Sequence, residues 1–522
     1  MDSNRKFFLN SVLLSAVSIF ARFISVSFNA HVAAKVGAEC MGLFSLVASV
    51  CSLSVIFAAA GVNLAVVKRT SEIVAKAEKS GEDPAPKLKS TMRGALLYSL
   101  FFGVLTCAAV LAAAPFIANV LLGDERCLPS LRAFAVSLPA ISLSSALGGY
   151  FTGVGRIYKN ALCTVTEEAV KILAVSSLLL LIAPRGIEWA CLAIVGGGAA
   201  AQALSLLAAF ILYKTDKKRR GAGGGSAEIR AISKIALPVA AGNAARYGLI
   251  TAEHLAIPRA LALFGLSQSA ALSVYGIMSG MVLPVVLFPS AVLYSFAALL
   301  VPEISSCAAV GNDARVRRIA EKVMRSSLLF SVCVAGVFIS FADRIGQSLY
   351  GSVEAGRQLR LIAALVPVMY LDSAVDGMLK GLGEEVFCMK VNVLDSALCL
   401  ALVFPLVSTL GIDGYILLTV ISEVVNAALS IMKLIRRTGL RPDLLRWVVF
   451  PAASVAGASS VSSLLSSLMP FLPSPVPIAI TAVLYAALCF ALGCVDRGDV
   501  RWAASLMRIK KRRAPLSASD SD

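Results

Sequence analysis

Pro139–Gly155 reads P-A-I-S-L-S-S-A-L-G-G-Y-F-T-G-V-G, and Pro367–Gly383 reads P-V-M-Y-L-D-S-A-V-D-G-M-L-K-G-L-G. Pro, Leu, Ser, Ala and three glycines recur in register at an offset of 228 residues. Gly186-Ile187-Glu188 returns as Gly411-Ile412-Asp413, and Ala21-Arg22-Phe23 as Ala245-Arg246-Tyr247, at offsets of 225 and 224. The chain is therefore two related halves separated by small insertions or deletions. A duplicated membrane domain points to transport, because two halves can rock against each other about a shared site.

The chain has 522 residues, 58% apolar and 15% charged, with a mean hydropathy of +0.82. So little polar surface cannot cover a water-soluble body of this size. Apolar stretches of about 20 residues, each able to cross roughly 30 Å of hydrocarbon, recur along the whole sequence. Fourteen are expected, over 8–28, 41–64, 94–122, 131–154, 160–183, 189–213, 232–257, 270–301, 326–342, 359–380, 386–409, 412–435, 447–469 and 475–495. The first is long and lacks a small-x-small site, so it reads as a span rather than a cleaved leader. The fold class is thus an all-α integral membrane protein of about 14 transmembrane helices.

The repeat offset corresponds to six spans. That sets a six-helix N-terminal lobe over 1–213 and a six-helix C-terminal lobe over 232–435, joined by a cytoplasmic linker at 214–231. An even number of spans per half makes them parallel repeats. A further hairpin at 447–495 has no partner in the repeat, and 496–522 is a basic, then Ser/Asp-rich, tail expected to be disordered. The net charge of +17 does not indicate nucleic acid. With the N-terminus inside, 37 of the 48 Lys and Arg fall on cytoplasmic segments and only eight on outer ones. That asymmetry obeys the positive-inside rule, places both termini in the cytoplasm and assigns the basic patches to anionic lipid. Twelve scattered cysteines show no metal-type spacing. Cys40 and Cys127 fall in outer segments, where a pairing stays open.

Ionisable residues within the spans form the next layer: Arg22, Glu167, Glu168, Lys171, Arg246, Glu253, His254, Asp372, Asp376, Asp395 and Glu423. Each charge near mid-bilayer costs roughly 2.5–3.5 kcal/mol, so it must be paired, neutral or hydrated by a cavity. Glu168 or Glu167 can meet Lys171 on one helix face, and Asp372 and Asp376 share another. The acids Asp372, Asp376, Asp395, Glu423 and Glu168, with Lys171, are candidates for ion coupling. Arg22 and Arg246 occupy equivalent places in the first span of each half, and guanidinium binds phosphate through a rigid fork. They are candidate ligands for a diphosphate, with Asn29 and Glu253 nearby. The alternative is that each arginine pairs with acids of its own half, and Glu253 is one such partner for Arg246. Gly149-x-x-x-Gly153 and Gly377-x-x-x-Gly381 let helices approach closely. Pro284 and Pro289 interrupt the eighth span and suggest a kink that could gate a pore. There is no Walker A sequence, no HExxH, no nucleophile elbow and no cofactor motif, and only two histidines, His31 and His254. Enzymatic chemistry is not expected.

The run L-P-V-V-L-F-P-S-A-V-L-Y-S-F-A-A-L-L-V-P-E-I-S at Leu283–Ser305 resembles the eighth span of stage V sporulation protein B-type polysaccharide-biosynthesis exporters. Pro139–Gly155 and Gly377–Gly383 resemble their fourth and tenth spans, and A-R-F…V-G-A-E-C-M-G-L-F-S-L their first loop and second span. These exporters belong to a superfamily that includes MurJ-type lipid II flippases and MATE antiporters. The resemblance implies two six-helix lobes around a central cavity, in the bacterial cytoplasmic membrane. It also implies passage of an undecaprenyl-diphosphate-linked glycan, lipid II or another precursor, with cell-wall synthesis enzymes as possible partners. In MurJ-type relatives a first-span arginine matching Arg22 is essential, second-lobe cations point to Arg246, and the extra hairpin holds the lipid tail. Where those flippases carry Arg-Asp this chain has Phe28-Asn29, which separates it from lipid II specifically. Two alternatives remain open: a MATE-type cation-coupled drug exporter, and a non-transporting scaffold of cell-wall or spore-cortex synthesis.

Overall fold

The computed structural model describes residues 2–216, 228–293, 304–308, 310–440, 442–468 and 475–494. Residues 217–227 of the expected linker, most of the proline-rich turn at Pro470–Pro477 and the tail therefore lie outside the described residues. The described residues are helical throughout, with no strand among them. The helices are α1 Asp2–Ala59, α2 Val62–Ser80, α3 Ala85–Phe116, α4 Leu128–Gly153, α5 Ile157–Ile182, α6 Ile187–Lys214, α7 Ile229–Leu263, α8 Gln268–Gly276 and α9 Leu283–Leu287. They continue as α10 Asp313–Tyr350, α11 Val353–Ala363, α12 Val366–Gly381, α13 Glu385–Leu410, α14 Ile412–Thr438, α15 Phe450–Leu468 and α16 Pro475–Ala491.

Among the described residues, nine helices are long and apolar enough to cross a membrane, or ten if the bent α11–α12 pair counts as one span. The expectation of fourteen is thus not reproduced span for span. Helices α5 and α7 have crossing length but carry the acids and arginines singled out above, which lowers their apolar character. The segment expected as one span at 359–380 is two helices bent by 56°. The eighth span changes character along its length: α8 passes through π-helical turns at Ile277–Val282 into α9, which ends at Leu287, just before Pro289. Pro284 sits in the first turn of α9, where its missing N–H is tolerated.

Helix α1 is broken at Gly37, whose φ of 81° favours glycine. Asn29, eight residues before the break, lines the same cavity as Phe44 and Ala48, seven and eleven after it. The chain therefore doubles back at Gly37, and the expected first two spans are the arms of one hairpin. The glycines of the repeated stretch explain themselves by packing. A Cβ on Gly149 would lie 2.8 Å from the Asn63 carbonyl oxygen, and one on Gly153 2.8 Å from that of Val67. They let α4 sit directly on α2. Before Lys214, α3, α4, α5 and α6 pack around α1. After Ile229, α7, α13, α14, α12 and α10 form a second group. The α15–α16 hairpin packs on α10, with Val455 against Gly336 and the Tyr485 hydroxyl donating to the Leu329 carbonyl over 2.7 Å.

The two groups meet along α1, α7 and α8. Gly42 faces the Leu272 backbone, and Gly276 faces Ala38 and Gly42, at distances no side chain would permit. At the same end, the expected outer one, Gln268 Nε2 donates to the Gly123 carbonyl over 2.7 Å. Arg259 donates to the carbonyls of Val120 and Leu121. Arg126 chelates Asp124 and reaches Glu39 at 2.9 Å, which ties the α1 turn to the start of α4. At the opposite end, Glu228 takes hydrogen bonds from Arg69 at 3.2 Å and Thr91 at 3.3 Å, fastening the start of α7 to α2 and α3. Nearby, fully buried Asp216 holds Arg156 and Lys159, fixing the α4–α5 turn to the end of α6. The repeat-equivalent position of Arg156 is Glu384, which pairs with Lys433 at 3.1 Å. Both halves close this turn with an ion pair, and the sign of the turn residue is reversed.

Candidate functional site

Three cavities among the described residues adjoin the α1 hairpin, one of them at its turn beside Lys35 and Val36 and two along its arms. Of the latter two, one, of about 430 Å³, lies among α1, α4, α5 and α6 and is lined by Asn29, Lys171 and Gln202 together with apolar side chains. The other, of about 290 Å³, lies between α1 and the α7–α8 pair, across the boundary of the two groups. Asn29, Phe44, Ala48 and Ser52 border both, so the α1 hairpin is the wall between them. The second cavity contains no charged residue among its described lining. Its edge is crossed by Thr251, whose hydroxyl donates to the Ser49 carbonyl over 3.2 Å. The His254 imidazole Nδ1 and the Tyr275 hydroxyl are 2.9 Å apart, and Ser279 bridges toward Tyr415 at 3.4 Å.

Arg22 is largely exposed on the first arm of α1. Its neighbour Phe23 packs on Phe288 at 5.6 Å between ring centres, and the guanidinium acts electrostatically on Tyr370 of α12. Arg246 is half-buried on α7 and donates to Asn392 of α13 over 3.1 Å, while its Nε is buried without a partner. The two arginines stand on helices that touch, one beside α9 and α12 and the other beside α13, and neither borders the cavities described above. Among the described residues Arg246 forms no ion pair, so the alternative pairing with Glu253 is not what holds it. Glu253 instead faces Cys399 and Asp395.

Five of the expected acids, Glu253, Asp372, Asp376, Asp395 and Glu423, are distributed over four helices of the second group, and Glu167 and Glu168 lie on α5 of the first. Asp395 accepts from Ser422 over 2.6 Å, and Asp372 accepts from Asn426 over 3.0 Å while its other oxygen is buried without a partner. Glu423 lies within electrostatic reach of both Asp372 and Asp395. Asp376 bonds Lys380 at 3.4 Å and also lies within electrostatic reach of Asp372, as their shared helix face implies. Glu168 rather than Glu167 takes Lys171, at 2.7 Å. No described group of His, Cys, Asp and Glu has the convergence of a metal cage. Cys40 and Cys127 are free thiols, Cys40 directed at the Ile187 carbonyl, so the pairing left open by the sequence is not formed. Sequence reasoning missed Asn392, Thr251, Tyr275 and the Glu39–Arg126 pair, because each depends on contacts between elements separated in the chain, and it missed the local Asp124–Arg126 chelate, which no periodicity marks.

Residues 8–308 match the model of a family described as polysaccharide biosynthesis protein. Stage V sporulation protein B of Bacillus subtilis (strain 168) is 25% identical over 425 residues, covering 79% of this chain and 80% of that protein. Sporulation protein YkvU of the same organism is 22% identical over 369 residues, covering 68% of this chain and 78% of its own. The inward closed conformation of the lipid II flippase MurJ superposes with a TM-score of 0.64 at 12% identity, over 95% of this chain and 100% of that one. An inward-facing MATE family transporter of the MOP superfamily gives 0.61 at 16% identity, over 80% of this chain and 94% of that one. The architecture is that of these multi-span transporters, and the chain belongs to the polysaccharide biosynthesis protein family.

Proposed function

We propose that this protein moves an undecaprenyl-diphosphate-linked glycan across the bacterial cytoplasmic membrane by alternating access. Its lobes are 1–213 and 232–435, and its two termini lie in the cytoplasm. The observation that carries this reading is the boundary between the helix groups, where α1 and α7 touch, carry Arg22 and Arg246, and enclose a polar cavity. A guanidinium keeps its charge at every physiological pH and holds phosphate oxygens through paired donors. Arg22, exposed, and Arg246, whose Nε has no partner among the described residues, are assigned to the diphosphate. Family membership and the MurJ-like fold support a lipid-linked substrate.

Arginine cannot supply a switch by losing its proton. Glu253, Asp372, Asp395 and Glu423 are assigned to ion coupling, since Asp395 lies within electrostatic reach of Arg246 and of the other three carboxyls, and one guanidinium leaves negative charge that a proton or sodium ion can neutralise. The α15–α16 hairpin is assigned to the lipid tail.

The reading is tested by binding. Purified protein should hold undecaprenyl diphosphate at least tenfold more tightly than undecaprenyl monophosphate, and Arg22→Ala and Arg246→Ala should each erase most of that ratio. Equal affinity for the two lipids would overturn the assignment.

A further inference from the structure

The cavity between α1 and the α7–α8 pair differs chemically from the arginine layer beside it. Its walls are rich in hydroxyl, amide and imidazole groups, and its described lining holds no charge. Several of these groups have their hydrogen bonds already assigned within the protein, as Thr251 to Ser49 and His254 to Tyr275. Asn29, Ser45 and Tyr247 border the cavity and make no hydrogen bond to any described residue. An amide and two hydroxyls, each both donor and acceptor, are thus left facing the space. Phe44 and Tyr247 add two ring faces. The volume, about 290 Å³, corresponds to roughly ten waters at liquid density.

A diphosphate has no cation here, and an uncompensated charge in such a pocket is costly. A long alkyl chain would leave the amide and hydroxyls unpaired. An uncharged ring carrying several hydroxyls satisfies both conditions, pairing its polar edge with the side chains and laying its apolar face on an aromatic ring. The spacing agrees. Asn29 lies seven residues beyond Arg22 and His254 eight beyond Arg246, which along a helix is about 10–12 Å in each case. On α1 the lining begins beyond Arg22 in the direction of the expected outer end, and on α7 it runs from Tyr247, beside Arg246, to His254. The lining ends where Gly42, Gly276 and Gly280 bring the helices together.

We propose that this cavity is the subsite for the first sugar ring of the headgroup, with Asn29, Ser45 and Tyr247 as its specificity-determining contacts. The assignment rests on the lipid-diphosphate reading and adds to it. Arginine selects the diphosphate, and the neutral pocket selects what is attached to it.

The test compares undecaprenyl diphosphate with undecaprenyl diphosphates bearing galactose, N-acetylglucosamine or N-acetylgalactosamine, each bound to the full-length protein in nanodiscs. Wild type should bind at least one glycosylated lipid tenfold or more tightly than the bare diphosphate. Asn29→Leu and, independently, Ser45→Leu should bring that ratio to within twofold while leaving affinity for the bare diphosphate unchanged. Arg246→Ala should weaken all the lipids by a similar factor and preserve the ratio. No preference for any sugar in wild type, or a preference that survives both pocket variants, would overturn the subsite and leave the diphosphate reading standing. Failure of wild type to bind even the bare diphosphate would overturn both.

Discussion

Replacing Gly276 by alanine tests whether the contact between α1 and α8 holds the two helix groups together at the expected outer end. A Cβ there would stand 2.9 Å from the Gly42 Cα and closer still to the Ala38 carbonyl oxygen. Ordinary carbon–carbon contact is about 3.5–4.0 Å, so α8 must retreat by about 1 Å or α1 must bend. Both partners are backbone, and neither can rotate out of the way as a flexible side chain would. Overpacking of this kind costs about 1–3 kcal/mol. The penalty falls on the form in which the helices touch, so the ratio of separated to closed forms should rise roughly five- to 150-fold. Spin labels at Glu125 and Leu263, both exposed and on opposite sides of the contact, would report it by pulsed electron resonance after replacement of the native cysteines. The Gly276→Ala protein should gain a population at longer distance and unfold at lower temperature. An unchanged distance distribution with unchanged thermal stability would refute the close packing and the closure argued from it.

Arg126→Ala should lower stability by about 2–3 kcal/mol, because it leaves the Asp124 carboxylate, 5% exposed, without its chelating partner; thermal unfolding in detergent checks this, and a loss below about 0.5 kcal/mol would contradict it. Asp216→Ala removes a fully buried acid shared by Arg156 and Lys159 and should cost about 3–5 kcal/mol, whereas Glu384→Ala at the equivalent turn, 26% exposed, should cost under about 1 kcal/mol. Equal losses would contradict the difference in burial. Asp395→Asn should keep lipid binding but abolish the response of transport to an imposed proton or sodium gradient, measured in proteoliposomes. A normal gradient response would remove Asp395 from the coupling set.

The class of fold was legible because the repeat and the hydropathy are local properties of the chain. Gly149 and Gly153 were readable as packing residues, since the only chemistry a glycine offers a helix face is room, and their contacts with α2 bear this out. The number of spans was less legible. A bend of 56° between α11 and α12 splits the stretch expected as one span at 359–380, and π turns followed by a break near Pro289 divide another. Backbone geometry of that kind leaves little trace in hydropathy. The polar pairs divided by sequence distance. Glu168 with Lys171 was foreseen because three residues on a helix place two side chains on one face. Arg246 with Asn392, 146 residues apart, was not, because only the packing of α7 on α13 brings them together. Asp124 and Arg126 look unremarkable in sequence, and their place at the meeting of the two groups emerges only from the fold.

Following an undecaprenyl-diphosphate-linked sugar across the bilayer of proteoliposomes, with the wild type or the Arg22→Ala/Arg246→Ala protein, decides whether this molecule transports through its arginine pair. Passage with the wild type and none above protein-free liposomes with the folded double variant is the result predicted here. Equal passage by both proteins, or none by folded wild type with any undecaprenyl-diphosphate sugar, would contradict it.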